Sequence, residues 1–243
     1  MMLCKKLLLM LFIILTSMTI EAKVYLVSVG ISDYPGSSMD LTLPADDAKT
    51  ITALYSKNTD MKYCQLLDED ATISKVKTAM NKVFSYAKEN DIVVFFFSGH
   101  GYEGGFCLYD EHISYEEIRK AMAKSKCKNK MIFADACFSG QIRTDRVASQ
   151  SAINASKKAN VMLFLSSRSD EVSLENSNMD NGFFTTYLHK GLRGSADYNE
   201  DKVITAKELF RYVHSNVIEL SDDRQHPVMW GNFSDNMPVM KWK

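Results

Sequence analysis

Asp91 to Gly101 reads DIVVFFFSGHG, and Lys130 to Gly140 reads KMIFADACFSG. In the first, Ile92 to Phe97 is apolar at every position. A strand of this kind buries both faces and belongs in the centre of a parallel sheet covered by helices, because a half-exposed strand would alternate apolar with polar residues. The second run, Lys130 to Ala134, predicts another such strand. Both end abruptly in small and polar residues: Ser98, Gly99, His100 and Gly101 in one, and Asp135, Ala136, Cys137, Phe138, Ser139 and Gly140 in the other. Two buried strands with polar clusters at equivalent ends set the expectation for everything around them.

Outward from these runs, strand and helix patterns alternate. Lys23 to Ile31, KVYLVSVGI, is β-prone and enters the turn-rich SDYPGSS. Pro44 opens a helix over Ala45 to Lys57, with Asp46 and Asp47 in the first turn, where carboxylates meet the positive end of the helix dipole. Met61 to Leu67 predicts a strand, Thr72 to Lys88 an amphipathic helix, Phe106 to Tyr109 a small strand after a glycine-rich bend, and Ser114 the start of a helix centred on Ile118. Ala159 to Leu165 predicts a further buried strand, Phe183 to Leu188 the start of a helix, and Thr205 to Val217 the last long helix, followed by a QHPVMWG tail. Residues 139 to 158 lack an apolar period and predict a long loop. The alternation implies one α/β domain, a largely parallel sheet with helices on both faces, and reactive groups beyond the carboxyl ends of its strands.

The chain has 243 residues, of which 46% are hydrophobic and 24% charged. Residues 1 to 22, MMLCKKLLLMLFIILTSMTIEA, distort that average. Lys5 and Lys6, the short apolar run that follows and the small and polar exit read as a secretory signal peptide cleaved after Ala22. An uncleaved N-terminal anchor is the alternative, since Ile20 stands where a small residue is usual. Residues 23 to 243 then carry a formal charge of -2, which argues against a dedicated phosphate-backbone binder. The expectation is an exported protein of the periplasm, cell envelope or exterior, a monomer with no nucleic-acid partner and no membrane insertion once the leader is removed. Cys64, Cys107 and Cys127 read as small buried hydrophobes, and no CxxC pair or close Cys/His cluster suggests a metal.

If the two buried strands are parallel neighbours, His100 and Cys137 project from adjacent carboxyl ends into one cleft. Histidine would then take the thiol proton and the thiolate would attack a carbonyl carbon. The flanking glycines leave room for a substrate backbone, and backbone N–H groups around Gly101 and Cys137 would hold the oxyanion. Which group orients His100 is open between a backbone carbonyl and a side chain.

The paired motifs resemble the caspase and metacaspase clan of cysteine peptidases (peptidase C14-like), with bacterial caspase-like proteins nearest in pattern: an apolar strand into SGHG and a second into D-[AS]-C-x-S-G. Leu41 to Ala48 resembles that family's L-x-G-x-x-N-D-A segment, Leu165 to Asp170 its A-S-R-x-D segment, and Gly182 to Gly194 its G-x-F-T block. The 37-residue spacing from His100 to Cys137 and Asp135 before the cysteine's neighbour turn the resemblance from animal caspases toward metacaspases. It implies a caspase-like three-layer sandwich, a His100/Cys137 dyad cleaving peptide bonds, and no required cofactor. By the same resemblance Asp47, Ser98 and Asp135 match residues lining the S1 pocket. Two carboxylates there would hold a guanidinium through charge-assisted hydrogen bonds, so the substrate would be a protein or peptide with Arg or Lys at P1. Arg168 is compatible with either a basic or an acidic pocket.

The loop at 139–158 matches the region between the large and small segments of the clan, and Arg143, Arg146, Lys157 and Lys158 offer sites at which a basic-specific enzyme would process itself. Asp197, Asn199, Asp201 and Glu208 are spaced like a calcium loop, although Lys202 stands where that loop has glycine. Asp145 lies near another calcium-linked position of the family, so calcium as an activator is the one ion the pattern raises. The competing readings are a noncatalytic caspase-like binding module, and a cysteine hydrolase with another P1 preference or a nonpeptide amide or ester substrate.

Overall fold

In the computed structural model, residues 22–102, 104–137, 160–167 and 180–242 are described. Val24–Gly30 forms β1, Met61–Leu67 β2, Ile92–Tyr102 β3, Asn129–Cys137 β6, Val161–Leu165 β7 and Val228–Trp230 β9. These strands lie in the order β2-β1-β3-β6-β7-β9. Every neighbouring pair is parallel except β7 with β9, which is antiparallel.

Strand parity builds the layers. On β3, Val93, Phe95 and Phe97 face one core, where they meet Val76, Met80, Val83 and Phe84 of α2 (Ile73–Phe84) and Ile118 and Met122 of α3 (Tyr115–Ala123). Ile92, Val94 and Phe96 face the other core, against Ile51, Leu54 and Tyr55 of α1 (Pro44–Asn58), Phe184 and Leu188 of α4 (Phe183–Lys190), and Leu209, Val213 and Val217 of α5 (Ala206–Leu220). The chain is therefore an α/β/α sandwich about a largely parallel sheet, as the uninterrupted apolar run implies. Among the described residues no helix is long and apolar enough to cross a membrane.

The glycine-rich bend expected after Phe97 is instead a continuation of β3. Gly99 and His100 pair in register with Ala136 and Cys137, while Gly101 and Tyr102 pair with β4 (Gly105–Cys107), which itself pairs with β5 (His112–Ser114). Stacking of Phe106 on Phe97 at 4.3 Å holds this hairpin against the sheet. The QHPVMWG tail likewise contains β9, and a separate antiparallel pair joins β8 (Val203–Thr205) to β10 (Pro238–Lys241). Three-residue strands are too short to leave a period in the sequence. The expected helix over Thr72 to Lys88 is shorter at its C-terminal end, where the Lys88 N–H is taken by Asp91 Oδ2 at 2.7 Å. Thr72, Ser114 and Thr205 are N-caps, and the last two complete capping boxes with Glu117 and Glu208.

Helix α1 sits unusually close to the end of β1. A Cβ on Gly30 would come within 2.2 Å of the Pro44 carbonyl oxygen and 2.7 Å of the Ala48 Cβ. Gly30→Ala is expected to force the helix away from the sheet at a cost of about 1–3 kcal/mol. The denaturant midpoint reads this directly, and an unchanged midpoint would contradict the close approach.

Candidate active site

β1 ends at Gly30, in register with Ser98, while β3 and β6 run on side by side, Ser98 in register with Asp135 and His100 with Cys137. The two residues expected to form a dyad thus occupy adjoining positions on neighbouring central strands. Cys137 is placed by this register alone. His100 is half-buried, its ring lies 4.8 Å from that of buried Tyr34, and its Nε2 is 2.7 Å from the carbonyl oxygen of Met39. A carbonyl only accepts, so Nε2 carries the proton in this contact and Nδ1 is the nitrogen left to receive one. The orienting group for His100 is therefore a backbone carbonyl.

The loop that supplies it closes on itself. Leu41 N donates to Ser32 O at 2.8 Å, Met39 N to Gly36 O at 3.1 Å and Tyr34 N to Asp40 Oδ1 at 3.2 Å, while Asp68 Oδ1 accepts the N–H groups of Ser32 and Asp33. Gly99 precedes His100 with φ +149°, which L side chains rarely adopt, and a Cβ there would meet the Tyr34 hydroxyl at 2.6 Å.

Asp47, Ser98 and Asp135, drawn from α1, β3 and β6, form a second cluster beside the first. All three are buried, Asp47 to 1% exposure. Ser98 Oγ donates to Asp47 Oδ2 at 2.7 Å, and Asp47 Oδ1 accepts from Asn181 Nδ2 at 2.9 Å and from the Gly182 backbone N–H at 3.1 Å. Asp135 Oδ2 accepts from the Thr185 backbone N–H at 3.0 Å and from its hydroxyl at 2.9 Å. Gly182 passes between the acids so closely that a Cβ would come within 2.5 Å of Asp135 Oδ2. Burial pushes the Asp47 carboxyl well above the usual carboxylate range, the charge of Asp135 pushes it further, and the hydrogen bonds from Ser98, Asn181 and Gly182 oppose both. Two acids thus meet in one desolvated corner at the carboxyl ends of the central strands, where Asp47 is held by Ser98, Asn181 and Gly182 and Asp135 takes two bonds from Thr185.

Asn181 gave no signal in the sequence. Thr185 was visible only as part of the G-x-F-T resemblance, and the Met39 carbonyl could not be read from a residue type at all. Arg143, Arg146, Lys157 and Lys158, together with Ser139, Gly140, Asp145 and Arg168, lie outside the described residues. Cys64 and Cys107 are free and half-buried, and Cys127 is free and buried, its thiol pushed up to about 11 mainly by desolvation.

The segment with calcium-loop spacing is a chain of local turns. Asp197 accepts the N–H groups of Asp201 and Lys202, Asn199 Oδ1 that of Asp201, and Asp201 Oδ1 that of Val203. Glu208 Oε2 holds the N–H and hydroxyl of Thr205 in the cap of α5. Among the described residues no group of three or more His, Cys, Asp or Glu is gathered to hold a metal.

A largely parallel sheet between two helix layers, with its polar clusters beyond the carboxyl ends of the central strands, defines the class as an α/β/α sandwich with its site at the strand ends. Residues 24–237 match the caspase domain family, and the chain belongs to that family. Its fold is similar to that of protein GSU0716 from Geobacter sulfurreducens, with a TM-score of 0.67 at 16% identity over 90% of this chain and 97% of that one. It is also similar to caspase-1 from Spodoptera frugiperda, with a TM-score of 0.63 at 14% identity over 88% of each chain. No curated protein matches the sequence significantly.

Proposed function

We propose that this chain is a cysteine endopeptidase that cleaves peptide bonds after arginine or lysine. The observation that carries the reading is the register of β3 and β6, which sets His100 beside Cys137 and, two positions earlier in register, Ser98 beside Asp135. In this reading His100 Nδ1 takes the thiol proton and the sulfur adds to the scissile carbonyl carbon. Backbone N–H groups of Gly101 and Cys137 hold the oxyanion. Collapse of the tetrahedral adduct breaks the C–N bond, the imidazolium returns its proton to the departing amine, and water attacking the thioester with His100 as base releases the acid and regenerates the thiol. The P1 guanidinium or ammonium enters the corner of Asp47, Ser98 and Asp135, where the two acids supply charge that a neutral P1 side chain would leave uncompensated. The leader-like residues 1 to 22 support action outside the cytoplasm.

A fluorogenic peptide library scanned at P1, run on wild type and Cys137→Ala under reducing conditions, tests the reading. The expected result is cleavage after Arg and Lys in wild type and none in the variant. Equal cleavage by both would remove Cys137 from the chemistry, a preference for acidic P1 would remove the acid pocket, and an inert wild type would favour a noncatalytic module.

A further inference from the structure

His100 sits just past the point where its strand loses a neighbour. The Ser98 carbonyl points toward β1 and accepts the N–H of Ile31 at 3.1 Å. Strand parity turns the N–H of His100 to the same side, two residues on, where β1 has already left the sheet for the loop at 31–41. A buried N–H without an acceptor is costly, and a histidine hung from it would lack a fixed origin. The Tyr34 hydroxyl fills that gap: it accepts from the His100 N–H at 2.9 Å and donates to the Cys107 carbonyl at 3.1 Å, bridging the histidine to the β4–β5 hairpin.

We propose that Tyr34 is a positioning residue for His100, replacing the missing ladder acceptor with its hydroxyl and backing the imidazole with its ring while Met39, five residues on in the same closed loop, holds Nε2. The proposal rests on the dyad reading above for its effect on catalysis, but not for the hold itself. One loop thus fixes the histidine at two points, backbone and ring tip, and a ring held at both has little freedom to turn Nδ1 away from its partner. Burial raises the phenol above its ordinary range, so it stays protonated and able to donate across the pH range in which a thiol peptidase works.

Tyr34→Phe in the full chain removes the hydroxyl and keeps the ring. The expected result is a kcat lowered about 10- to 100-fold with KM within about twofold, because the loss falls on orientation rather than on substrate contacts. Deuterium exchange of the His100 amide, followed by NMR, is expected to quicken at least about tenfold as its acceptor is lost. Tyr55→Phe is the control: Tyr55 is also buried, in the core on the opposite face of the sheet from Tyr34, and donates to the Val239 carbonyl at 3.1 Å, so its loss tests for a general weakening of the fold. A Tyr34→Phe enzyme with wild-type kcat, or a matching fall in Tyr55→Phe, would overturn the proposal, as would an unchanged His100 exchange rate. The exchange measurement needs no turnover, so it decides for Tyr34 even if activity retained by His100→Ala were to remove the dyad.

Discussion

Replacing His100 by alanine is expected to lower kcat by about 10²–10⁴-fold while KM stays within a few-fold, the size of effect that loss of a positioned general acid–base produces. The fold should survive, because His100 lies half-buried at the end of β3, beyond the apolar run that fills the two cores. A second readout separates chemistry from misfolding. In the proposed dyad the imidazole favours the Cys137 thiolate, so without it iodoacetamide should label Cys137 about tenfold or more slowly near neutral pH. At high pH, where any accessible thiol ionises, the labelling rates of variant and wild type should converge. Activity retained above about a tenth of wild type would mean that another group takes the thiol proton, and labelling unchanged at neutral pH would mean that His100 and Cys137 do not communicate.

The contrast with Tyr34→Phe is informative because the two residues meet through different atoms. In the proposed dyad His100 supplies the proton-carrying nitrogen. Tyr34 touches its backbone N–H and ring face only. Removing the phenol should therefore leave a working but poorly aimed base, a smaller kinetic loss than removing the base itself. A ranking in which Tyr34→Phe cost more than His100→Ala would place the tyrosine in the chemistry rather than behind it.

Much of this was legible in the sequence, and the pattern of what was not has a physical cause. The apolar run at 92–97 announced a strand buried on both faces, and Val93, Phe95 and Phe97 do face a different core from Ile92, Val94 and Phe96. The motifs at its end and after Lys130 announced adjoining strand ends, and the register agrees. The continuation of β3 through Gly99 to Tyr102 was hidden because a Ser-Gly-His-Gly run carries turn residues. Its extended shape is imposed from outside, by pairing with β6 and with the β4–β5 hairpin. Strand β9 was hidden because three residues cannot display a period. The support of the site was least legible: Asn181 and Thr185 reach Asp47 and Asp135 across 134 and 50 residues of chain, and such long-range hydrogen bonds leave no local spacing to detect. The Met39 carbonyl, common to all residue types, leaves no signature at all.

The acids make the second large prediction, and its two halves carry opposite signs. Asp47→Asn and Asp135→Asn are each expected to lower kcat/KM on arginyl substrates by about 10²–10³-fold, the loss that follows when one partner of a buried, hydrogen-bonded charge pair is neutralised. Citrulline at P1, which keeps the shape of arginine without its charge, should be affected little, so the arginine-to-citrulline ratio isolates the charge. Stability should move the other way. The folded-state value of Asp47 is raised, so the native chain binds this proton more tightly than the unfolded chain does. That contribution to stability is fully present below the unfolded carboxylate value of about 4, and is lost as pH rises through the raised folded value. An asparagine keeps the shape, can still accept from Asn181 and Gly182 through its oxygen, and can turn its amide toward Ser98 Oγ, without the charge that burial and Asp135 oppose. Asp47→Asn should therefore raise Tm at neutral pH and flatten its fall as pH rises above the ordinary carboxylate value of about 4, while arginyl cleavage collapses. If the pocket takes the P1 cation as proposed, the same linkage should make the wild-type arginyl KM fall as pH rises through the Asp47 value, because the substrate cation would favour the ionised acids. A variant that lost stability and activity together would make Asp47 a scaffold for the loop at 181–182 rather than a binding charge, and unchanged kinetics on arginyl substrates would remove the pocket altogether.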